Sequence, residues 1–270
     1  MELIATGLTG TIGRKLQKDI KSARVVLGSG KLIDNFASKT SPLTLIHLAG
    51  IVGELKVSQD LNHSKKINVD ESFKLAREVI EDFGGRFIYI SSSHIYGPTP
   101  KPLTESNPYN PQSNYAHQKA LAEQMLLNHF GEDHPQLVIL RVFSVLGWDV
   151  ADFTLGGAVK RILAGSKESI YYTDDFRDFM TPTTIAAAIS TIAKNAYISG
   201  IYNLCSGAGI TVKDAVRSMF EIMQFQESID QIQPGNSIAP SIVGDNTKLM
   251  KTGLDLKLNW NPINDLKVSI

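Results

Sequence analysis

Tyr115 and Lys119 are a pair of side chains that could move a proton. Residues four apart on a helix point from one face, so the lysine ammonium would lie beside the phenol. Tyrosine, with a pKa of roughly 10, is a poor base at neutral pH unless such a charge favours the phenolate. Tyr-x-x-x-Lys also arises by chance as an exposed helix pair. Here it follows a serine-rich strand end, Ser91-Ser92-Ser93, and a glycine-rich turn, in an order that favours chemistry.

The glycine-rich turn is Thr6-Gly7-Leu8-Thr9-Gly10-Thr11-Ile12-Gly13, directly after the apolar residues 3–5. Gly7 permits a tight reversal, Gly10 lets the backbone approach a pyrophosphate, and Gly13 allows close packing of helix on strand. The helix that begins there supplies free N–H groups and a partial positive charge. Glycines also serve in ordinary turns, but this placement between a strand and an amphipathic helix predicts a bound dinucleotide.

The expected second strand, residues 23–27, does not end in a carboxylate that would hold a ribose 2′-hydroxyl. Gly28, Ser29 and Lys31 stand there instead, and Ser29 and Lys31 could bind a 2′-phosphate. We therefore predict that these three residues contact the cofactor and favour NADP over NAD. The alternative is a flexible Gly-Ser turn with a solvated lysine.

Strand-like and helix-like segments alternate along the first half of the chain. We predict strands at 3–5, 23–27, 43–48, 87–90 and 137–142, and helices after the glycine turn, at 70–81 and at 115–130. This order indicates an α/β protein with a parallel sheet covered on both faces. Only about fifteen residues separate the second and third of these strands, so we expect a trimmed crossover there.

Residues 97–113 contain five prolines, which block both helix and central strand. We predict a stiff loop that forms a substrate rim, because ligands of such sheets bind beyond the carboxyl ends of the strands; a plain surface connector is the alternative. Beyond residue 145 the pattern predicts a small second lobe. Its signs are a Gly-rich bend at 156–157, a polar stretch at 171–179, helices at 182–195 and 211–224, and a short strand at 201–204.

Composition argues against several classes of function. The 27 basic and 27 acidic residues give a formal net charge of +0, which disfavours a nucleic-acid or anionic-membrane surface. No apolar stretch approaches the ~20 residues needed to cross a bilayer. The lone Cys205 and the residues after Met1, which lack a signal-peptide pattern, predict a cytoplasmic protein. No metal site is predicted.

These motifs together resemble the extended short-chain dehydrogenase/reductase family, the epimerases, dehydratases and reductases of nucleotide sugars. The resemblance covers nearly the whole chain. Its segments are the glycine turn, His47-Leu48-Ala49-Gly50, Asn68-Val69, Ser91 to Gly97, Tyr115-x-x-x-Lys119, Leu140 to Gly147, Arg177-Asp178-Phe179, Asp245-x-x-Lys248 and Leu258-Asn259-Trp260-Asn261-Pro262.

The resemblance implies a Rossmann-type doubly wound parallel sheet built from residues 1–145 and about 180–204. Residues 146–179 and 205–270 would form a small mixed α/β C-terminal substrate lobe. NAD or NADP would be the cofactor and a nucleotide sugar the substrate. Pairing of the Tyr115 helix would give a homodimer, in which Leu121, Met125 and Leu126 could take part unless they simply belong to the core.

The resemblance also assigns roles to residues. Ser92 would hydrogen-bond the substrate oxygen, Tyr115 would be the acid/base, and Lys119 would lower the pKa of Tyr115 and hold the nicotinamide ribose. His94 is otherwise a packed or solvated histidine, and Arg177 is either a diphosphate clamp or an ion-pair partner of Asp174 or Asp178. The other cofactor contacts would be Gly7, Gly10, Thr11, Ile12, Gly13, Leu48, Ala49, Gly50, Asn68 and Ser91, and the substrate contacts Ser93, His94, Ser144 and Arg177.

Three departures concern the substrate side. Ser144 stands where the family usually has an asparagine, Gln233 stands where a basic residue is common, and the region after Gly147 is short. A small-carbonyl reductase would account for the weaker phosphate anchors. Among nucleotide-sugar enzymes we favour a 4-epimerase over an NADPH-dependent reductase of a 4-keto sugar, and we disfavour a dehydratase because Ser93-His94 supplies no acidic pair. A cofactor-binding sensor without turnover is the alternative from another class.

Overall fold

The computed structural model describes residues 2–16, 20–22, 43–152, 154–172, 175–225, 232–234, 241–256 and 262–268. Its largest sheet has six parallel strands in the order β2-β1-β3-β4-β5-β9. The predicted α/β class and Rossmann-type sheet are thereby confirmed. These strands are β1 (Glu2–Thr6), β2 (Lys21–Ser22), β3 (Leu43–His47), β4 (Arg86–Ser92), β5 (Leu137–Val142) and β9 (Gly200–Leu204).

The described part of the second strand, Lys21–Ser22, lies directly before the predicted segment 23–27. Lys21 and Ser22 pair with Ile4 and Ala5 of β1. Residues 23–27 and the predicted cofactor contacts Gly28, Ser29 and Lys31 lie outside the described residues, as does the trimmed crossover. The preference for NADP that rested on them stays a prediction.

A long helical stretch begins much earlier than the predicted 70–81. It comprises α2 (Glu54–Gln59), α3 (Leu61–Lys65), a π-helical turn (Lys66–Glu71), α4 (Ser72–Arg77) and a second π-helical turn (Glu78–Asp82). Its buried face carries Ser64, Asn68 and Ser72 at intervals of four. Because these residues are polar, the apolar period that marks a helix is invisible before Val69.

The helix of the Tyr115 motif is α5 (Asn114–Phe130), which confirms the predicted 115–130. Its N-cap is Ser113, whose hydroxyl accepts a 3.2 Å hydrogen bond from the Ala116 amide. Leu126 is fully buried in the core and Met125 packs against it. Only Leu121, 37% exposed, remains available for the predicted helix pairing, and the homodimer stays a prediction.

Two apolar layers cover the faces of the six-stranded sheet. One layer packs α7 (Pro182–Lys194) onto the sheet, and the other packs the 72–82 helical stretch and α5. Helix α7 and strand β9 confirm the predicted helix at 182–195 and strand at 201–204. The glycine turn is followed by α1, described over Gly13–Leu16.

Smaller elements follow β5. A three-stranded sheet contains β6 (Ser144–Val145), β8 (Phe176–Met180) and β10 (Gly209–Thr211), and a two-stranded one contains β7 (Ile170–Tyr172) and β11 (Ile232–Pro234). The helices are α6 (Leu155–Leu163), α8 (Val212–Ile222), α9 (Thr247–Met250) and α10 (Pro262–Val268). A separate apolar cluster joins α6, α8 and α10. The predicted division into a 1–145 unit and a substrate lobe stays a prediction.

One expectation for this half of the chain is wrong. Gly156 and Gly157 lie inside α6 and do not form a bend. Their role is close packing, since a Cβ on Gly157 would lie 2.6 Å from the Asp152 Cα. The described part of the polar stretch 171–179 lies largely in strands β7 and β8. Helix α8 confirms the helix predicted at 211–224.

Residues 97–113, all of them described, form neither helix nor continuous strand, as their prolines predict. Backbone hydrogen bonds join this segment to residues 241–245. In the part of the chain that the structure covers, no helix has both the length and the apolar character to cross a membrane.

Candidate active site

The glycine turn closes tightly against the end of β3. Gly7 has a φ of 73°, and a Cβ there would lie 2.6 Å from the Ala49 nitrogen. Gly13 is equally confined, because a Cβ on it would collide with the Gly7 carbonyl oxygen. The Thr6 hydroxyl accepts a 3.1 Å hydrogen bond from the Ala49 amide, so the ends of β1 and β3 are joined. This backbone cradle, kept open by glycines, fits the diphosphate of a dinucleotide.

The His47 side chain stabilises this cradle through two hydrogen bonds, a role that the sequence did not reveal. Its Nδ1 lies 2.8 Å from the Thr6 hydroxyl and its Nε2 lies 2.9 Å from the Ser72 hydroxyl. Burial, together with the positive charge of Lys119, lowers the pKa of His47 to about 3. The imidazole is therefore neutral at physiological pH and serves as a hydrogen-bonding spacer between β1, β3 and α4.

Asn68 links the loop after β3 to helix α5. Its side-chain oxygen accepts a 2.7 Å hydrogen bond from the Ile51 amide, and its side-chain nitrogen donates to the Ile51 carbonyl and to Gln118. Gln118 in turn donates to the Ser64 hydroxyl at 2.9 Å. These bonds hold Asn68 in place, and its contact with a cofactor stays a prediction.

Ser92, Tyr115 and Lys119 are brought together at the carboxyl edge of the sheet. The Ser92 hydroxyl lies near the Tyr115 phenol and favours its ionised form. The Lys119 ammonium donates a 2.8 Å hydrogen bond to the Ile90 carbonyl and lies 4.6 Å from the centroid of the Tyr89 ring. A buried lysine thus ties the helix of Tyr115 to the strand of Ser92.

The pKa of Tyr115 departs from the expectation. Desolvation of the phenol raises its pKa to about 12, and the Ser92 hydroxyl opposes this rise only in part. The expectation that Lys119 lowers the pKa of Tyr115 is therefore not met in this structure. Burial lowers the pKa of Lys119 itself to about 8, while the Glu123 carboxylate raises it.

Ser91 and Ser93 flank Ser92 with 4% and 1% of their surfaces exposed. Within the described residues, neither hydroxyl has a hydrogen-bond partner. An unpaired buried hydroxyl costs about 1–3 kcal/mol, so such groups usually await a ligand or water. Their position at the strand end fits the prediction that Ser91 faces the cofactor and Ser93 the substrate, which stays a prediction.

His94 lies beside Tyr115, and the charge of Arg177 acts on it. The exposed His94 ring lies edge-on to the Tyr115 ring, with 6.2 Å between centroids. Surrounding protein atoms and the Arg177 guanidinium lower the pKa of His94. The structure therefore places His94, one of the four predicted substrate residues, beside the candidate acid.

Arg177 forms an ion pair that the sequence did not identify. Its guanidinium lies 2.8 Å from the carboxylate of Asp175, neither of the two acids expected. Asp178 instead accepts hydrogen bonds from Ser206, Gly207 and Gly244, and Asp174 lies outside the described residues. Arg177 remains part-exposed, at 24%, and its positive charge acts on His94.

The other substrate-side residues lie in short strands. Ser144 pairs with Phe179 in the β6–β8 ladder, two residues along from Arg177. Gln233 is exposed on β11. Lys248 of the C-terminal motif lies over the Tyr202 ring, 5.1 Å from its centroid, and residues 258–261 lie outside the described chain. No three His, Cys, Asp or Glu side chains are grouped as metal ligands would be in the described ranges.

Glu54 is a further residue that sequence reasoning missed. One of its carboxylate oxygens accepts a 3.0 Å hydrogen bond from the Tyr115 amide, and the other accepts from Asn114 and Ser58. These bonds lower the pKa of Glu54. The carboxylate therefore caps the first turn of α5 from outside the helix, and no local sequence pattern signals such a contact.

The six-stranded parallel sheet, the glycine cradle and the Ser92–Tyr115–Lys119 arrangement define a protein of the Rossmann-type dinucleotide-binding class. The chain belongs to the NAD dependent epimerase/dehydratase family, whose model matches residues 3–205. This is a family of enzymes that use NAD(P), and its members include epimerases, dehydratases and reductases.

The chain is similar to GDP-6-deoxy-D-mannose reductase of Pseudomonas aeruginosa. The two are 25% identical over 252 residues, which are 85% of this chain and 82% of the reductase. A putative UDP-arabinose 4-epimerase of Arabidopsis thaliana is 26% identical over 267 residues, 87% of this chain. The chain spans only 58% of the length of that epimerase.

Solved structures with the same fold include the Pseudomonas aeruginosa protein RMD, which was determined with NADPH. It has a TM-score of 0.76 and 21% identity, with 99% of each chain covered. UDP-glucose 4-epimerase of Thermus thermophilus, determined with NAD, has a TM-score of 0.76 and 20% identity, covering 100% of this chain and 97% of the epimerase. At these identities the likeness shows the fold.

Proposed function

We propose that this chain catalyses NAD(P)-dependent oxidoreduction at a carbon of a nucleotide-linked sugar. The observation that carries the proposal is the placement of Ser92 beside Tyr115, near the buried Lys119 and at the same edge of the sheet as the glycine cradle. Membership of the NAD dependent epimerase/dehydratase family supports the cofactor. Relatives named as reductases and epimerases of nucleotide-linked sugars support the substrate class.

The cofactor would rest on the backbone of Gly7, Gly10 and Gly13, with Lys119 at the nicotinamide ribose. When bound, the nicotinamide supplies or accepts the hydride. The glycine backbone would hold the diphosphate, because no side chain stands between its amides and such an anion. Lys119 is fixed by its hydrogen bond to the Ile90 carbonyl and would hold the ribose from there.

Tyr115 would transfer the proton. With a pKa of about 12, its phenol is protonated at neutral pH and is ready to donate to a developing alkoxide on the substrate. The Ser92 hydroxyl would hydrogen-bond the same substrate oxygen and stabilise its charge. The phenolate left on Tyr115 would regain a proton from solvent.

We take the reductase as the first reaction to test, because the GDP-6-deoxy-D-mannose reductase is similar to this chain along most of both lengths, 85% of this chain and 82% of the reductase. The 4-epimerase that the sequence motifs favoured is the second candidate. His94 and Arg177 would face the sugar and its diphosphate, with Asp175 orienting the guanidinium.

The test is a pair of turnover assays on one preparation. A GDP-linked 4-keto sugar with NADPH should be reduced, with one NADPH consumed per product. UDP-glucose with a trace of NAD should show no epimerisation. Epimerisation without net cofactor consumption would assign the second function, and cofactor binding without turnover of either compound would assign a sensor.

A further inference from the structure

A buried ion pair lies behind the candidate active site. The Arg141 guanidinium of β5 contacts both carboxylate oxygens of Glu123 of α5, with Nη2 to Oε2 at 2.7 Å. The two side chains are 3% and 0% exposed. Glu123 lies one helical turn after Lys119, so the pair is built onto the helix of the proton-transfer residues.

The same guanidinium reaches into the proline-rich segment 97–113. It donates a 2.9 Å hydrogen bond to the Glu105 carbonyl and a 3.2 Å one to the Tyr109 hydroxyl. The Tyr109 hydroxyl in turn donates to the Glu123 carboxylate at 3.0 Å. Desolvation and the Glu123 charge raise the pKa of Tyr109, so it stays a neutral donor. These three side chains, Arg141, Glu123 and Tyr109, are hydrogen-bonded to one another and hold the segment in place.

Asn203 of strand β9 also holds the segment through hydrogen bonds. The Asn203 amide donates a 2.7 Å hydrogen bond to the Glu105 carboxylate, and the Asn203 side chain donates a 2.8 Å bond to the Leu103 carbonyl. Tyr96, directly before the segment, donates to the Asn203 side-chain oxygen at 2.6 Å and accepts from Arg141 at 2.7 Å.

The outer edge of the segment continues towards Arg177. Leu103 exchanges backbone hydrogen bonds with Val243 and Asp245, at 2.9 and 2.8 Å. Ile242, in the same stretch, bonds to Phe176 and Asp178, the neighbours of Arg177 on β8. An unbroken run of hydrogen bonds therefore leads from Glu123 on the Tyr115 helix, through the segment, to the strand that carries Arg177.

We propose that Tyr109, held by the Glu123–Arg141 pair, is a positioning residue for substrate, because it locks segment 97–113 between the Tyr115 helix and the Arg177 strand. The inference rests on the proposed function only in its kinetic part. The prolines limit the freedom of the segment, and the buried charges fix its position. The residues that contact the sugar and those that contact the diphosphate would then be held at a fixed distance from each other.

The test compares Tyr109→Phe with Tyr197→Phe. Tyr197 is 69% exposed before β9, so its hydroxyl is a matched control. Losing the hydroxyl of Tyr109 removes two hydrogen bonds, one of them to a carboxylate, and should raise amide hydrogen exchange in residues 103–109 about tenfold. In the reductase assay, KM for the GDP-linked 4-keto sugar should rise about tenfold, with the Kd for NADPH unchanged.

Unchanged exchange and unchanged KM in Tyr109→Phe would overturn the proposal. A fall in kcat and a weakening of NADPH binding as large as the rise in KM would also overturn it, since they would indicate general damage to the fold. If Tyr109→Phe does not fold, Glu105→Ala removes the bond to Asn203 without touching the buried pair and should give the same pattern. Because hydrogen exchange needs no substrate, the anchoring can be tested even if the wild-type chain reduces no sugar, which would defeat the proposed function alone.

Discussion

The ammonium of Lys119 donates a 2.8 Å hydrogen bond to the backbone carbonyl of Ile90, two residues before Ser92. A single side chain thus connects helix α5 to strand β4 at the level of the candidate active site. Burial lowers the pKa of this lysine to about 8, which places its charge close to the physiological range. The position of Tyr115, one turn earlier on α5, follows from this bond and from the Glu54 cap.

Replacing Tyr115 by Phe should abolish proton transfer and leave binding intact. We expect kcat to fall by about 10²–10⁴-fold, the range for loss of a general acid, with the Kd for NADPH within about twofold. Steady-state kinetics and fluorescence titration measure the two quantities. Tyr197→Phe, at an exposed position, should match the wild type. A Tyr115→Phe enzyme with full turnover would contradict the assignment.

Replacing Gly7 by Ala should disrupt the cradle. The new Cβ would lie 2.6 Å from the Ala49 nitrogen at a φ of 73°, so both a clash and backbone strain result. We expect a loss of about 2–4 kcal/mol in the free energy of unfolding by urea denaturation, together with loss of NADPH binding. Gly84→Ala is the matched control, because Gly84 has a φ of 61° with nothing within 4 Å of the new Cβ. Equal effects at the two sites would mean that the cradle is not tightly packed.

Stability in acid should report on His47. Its pKa is about 3 in the folded protein against 6.5 for a free histidine, so between these values the unfolded chain binds one more proton. The free energy of unfolding should therefore decrease as pH falls through this window, by up to ~1.4 kcal/mol per pH unit from His47.

The measurement is urea denaturation of the wild type and of His47→Gln between about pH 4 and pH 6. The variant should lose this part of the slope, whatever its stability at neutral pH. His117→Gln removes an exposed histidine of α5 and controls for the loss of one imidazole. Parallel slopes for wild type and His47→Gln would show that His47 is protonated in the folded state.

The buried Glu123–Arg141 pair should contribute far more to the free energy of unfolding than the exposed Arg77–Glu81 pair. Glu123→Gln leaves the Arg141 guanidinium without its charged partner in the core, which costs about 3–5 kcal/mol in buried pairs of this kind. Glu81→Gln, on the exposed Arg77–Glu81 pair of the 72–82 stretch, should leave the unfolding transition nearly unchanged. Thermal and urea denaturation of both variants provide the comparison. Equal midpoints would contradict the burial of Glu123.

Local sequence patterns predicted much of this fold and site. The order of strands, the glycine turn and helix α5 each have a signature within about ten residues, namely an apolar run, spaced glycines or a capped helix period. The pattern failed where buried positions are polar, as at Ser64 and Asn68, so the helical residues 54–69 went unnoticed. It also failed at Gly156 and Gly157, where glycine serves packing inside a helix.

Contacts between distant residues were beyond the reach of these patterns. Glu54 caps α5 from sixty-one residues away, and Glu123 and Arg141 meet only because α5 packs on β5. The partner of Arg177 was also missed, since three acids lie within three residues of it and only the strand geometry selects Asp175. The pKa of Tyr115 depends on burial, which the spacing Tyr-x-x-x-Lys does not encode.

Cofactor binding tests the central claim most directly. Freshly purified protein is denatured and the released nucleotide is quantified by chromatography; the remaining protein is titrated with NADPH, NADH and NAD, with Gly7→Ala in parallel. The account predicts that the wild type either releases a stoichiometric nicotinamide dinucleotide or binds added NADPH, and that Gly7→Ala does neither. A wild-type protein that releases none and binds none of the three would contradict it.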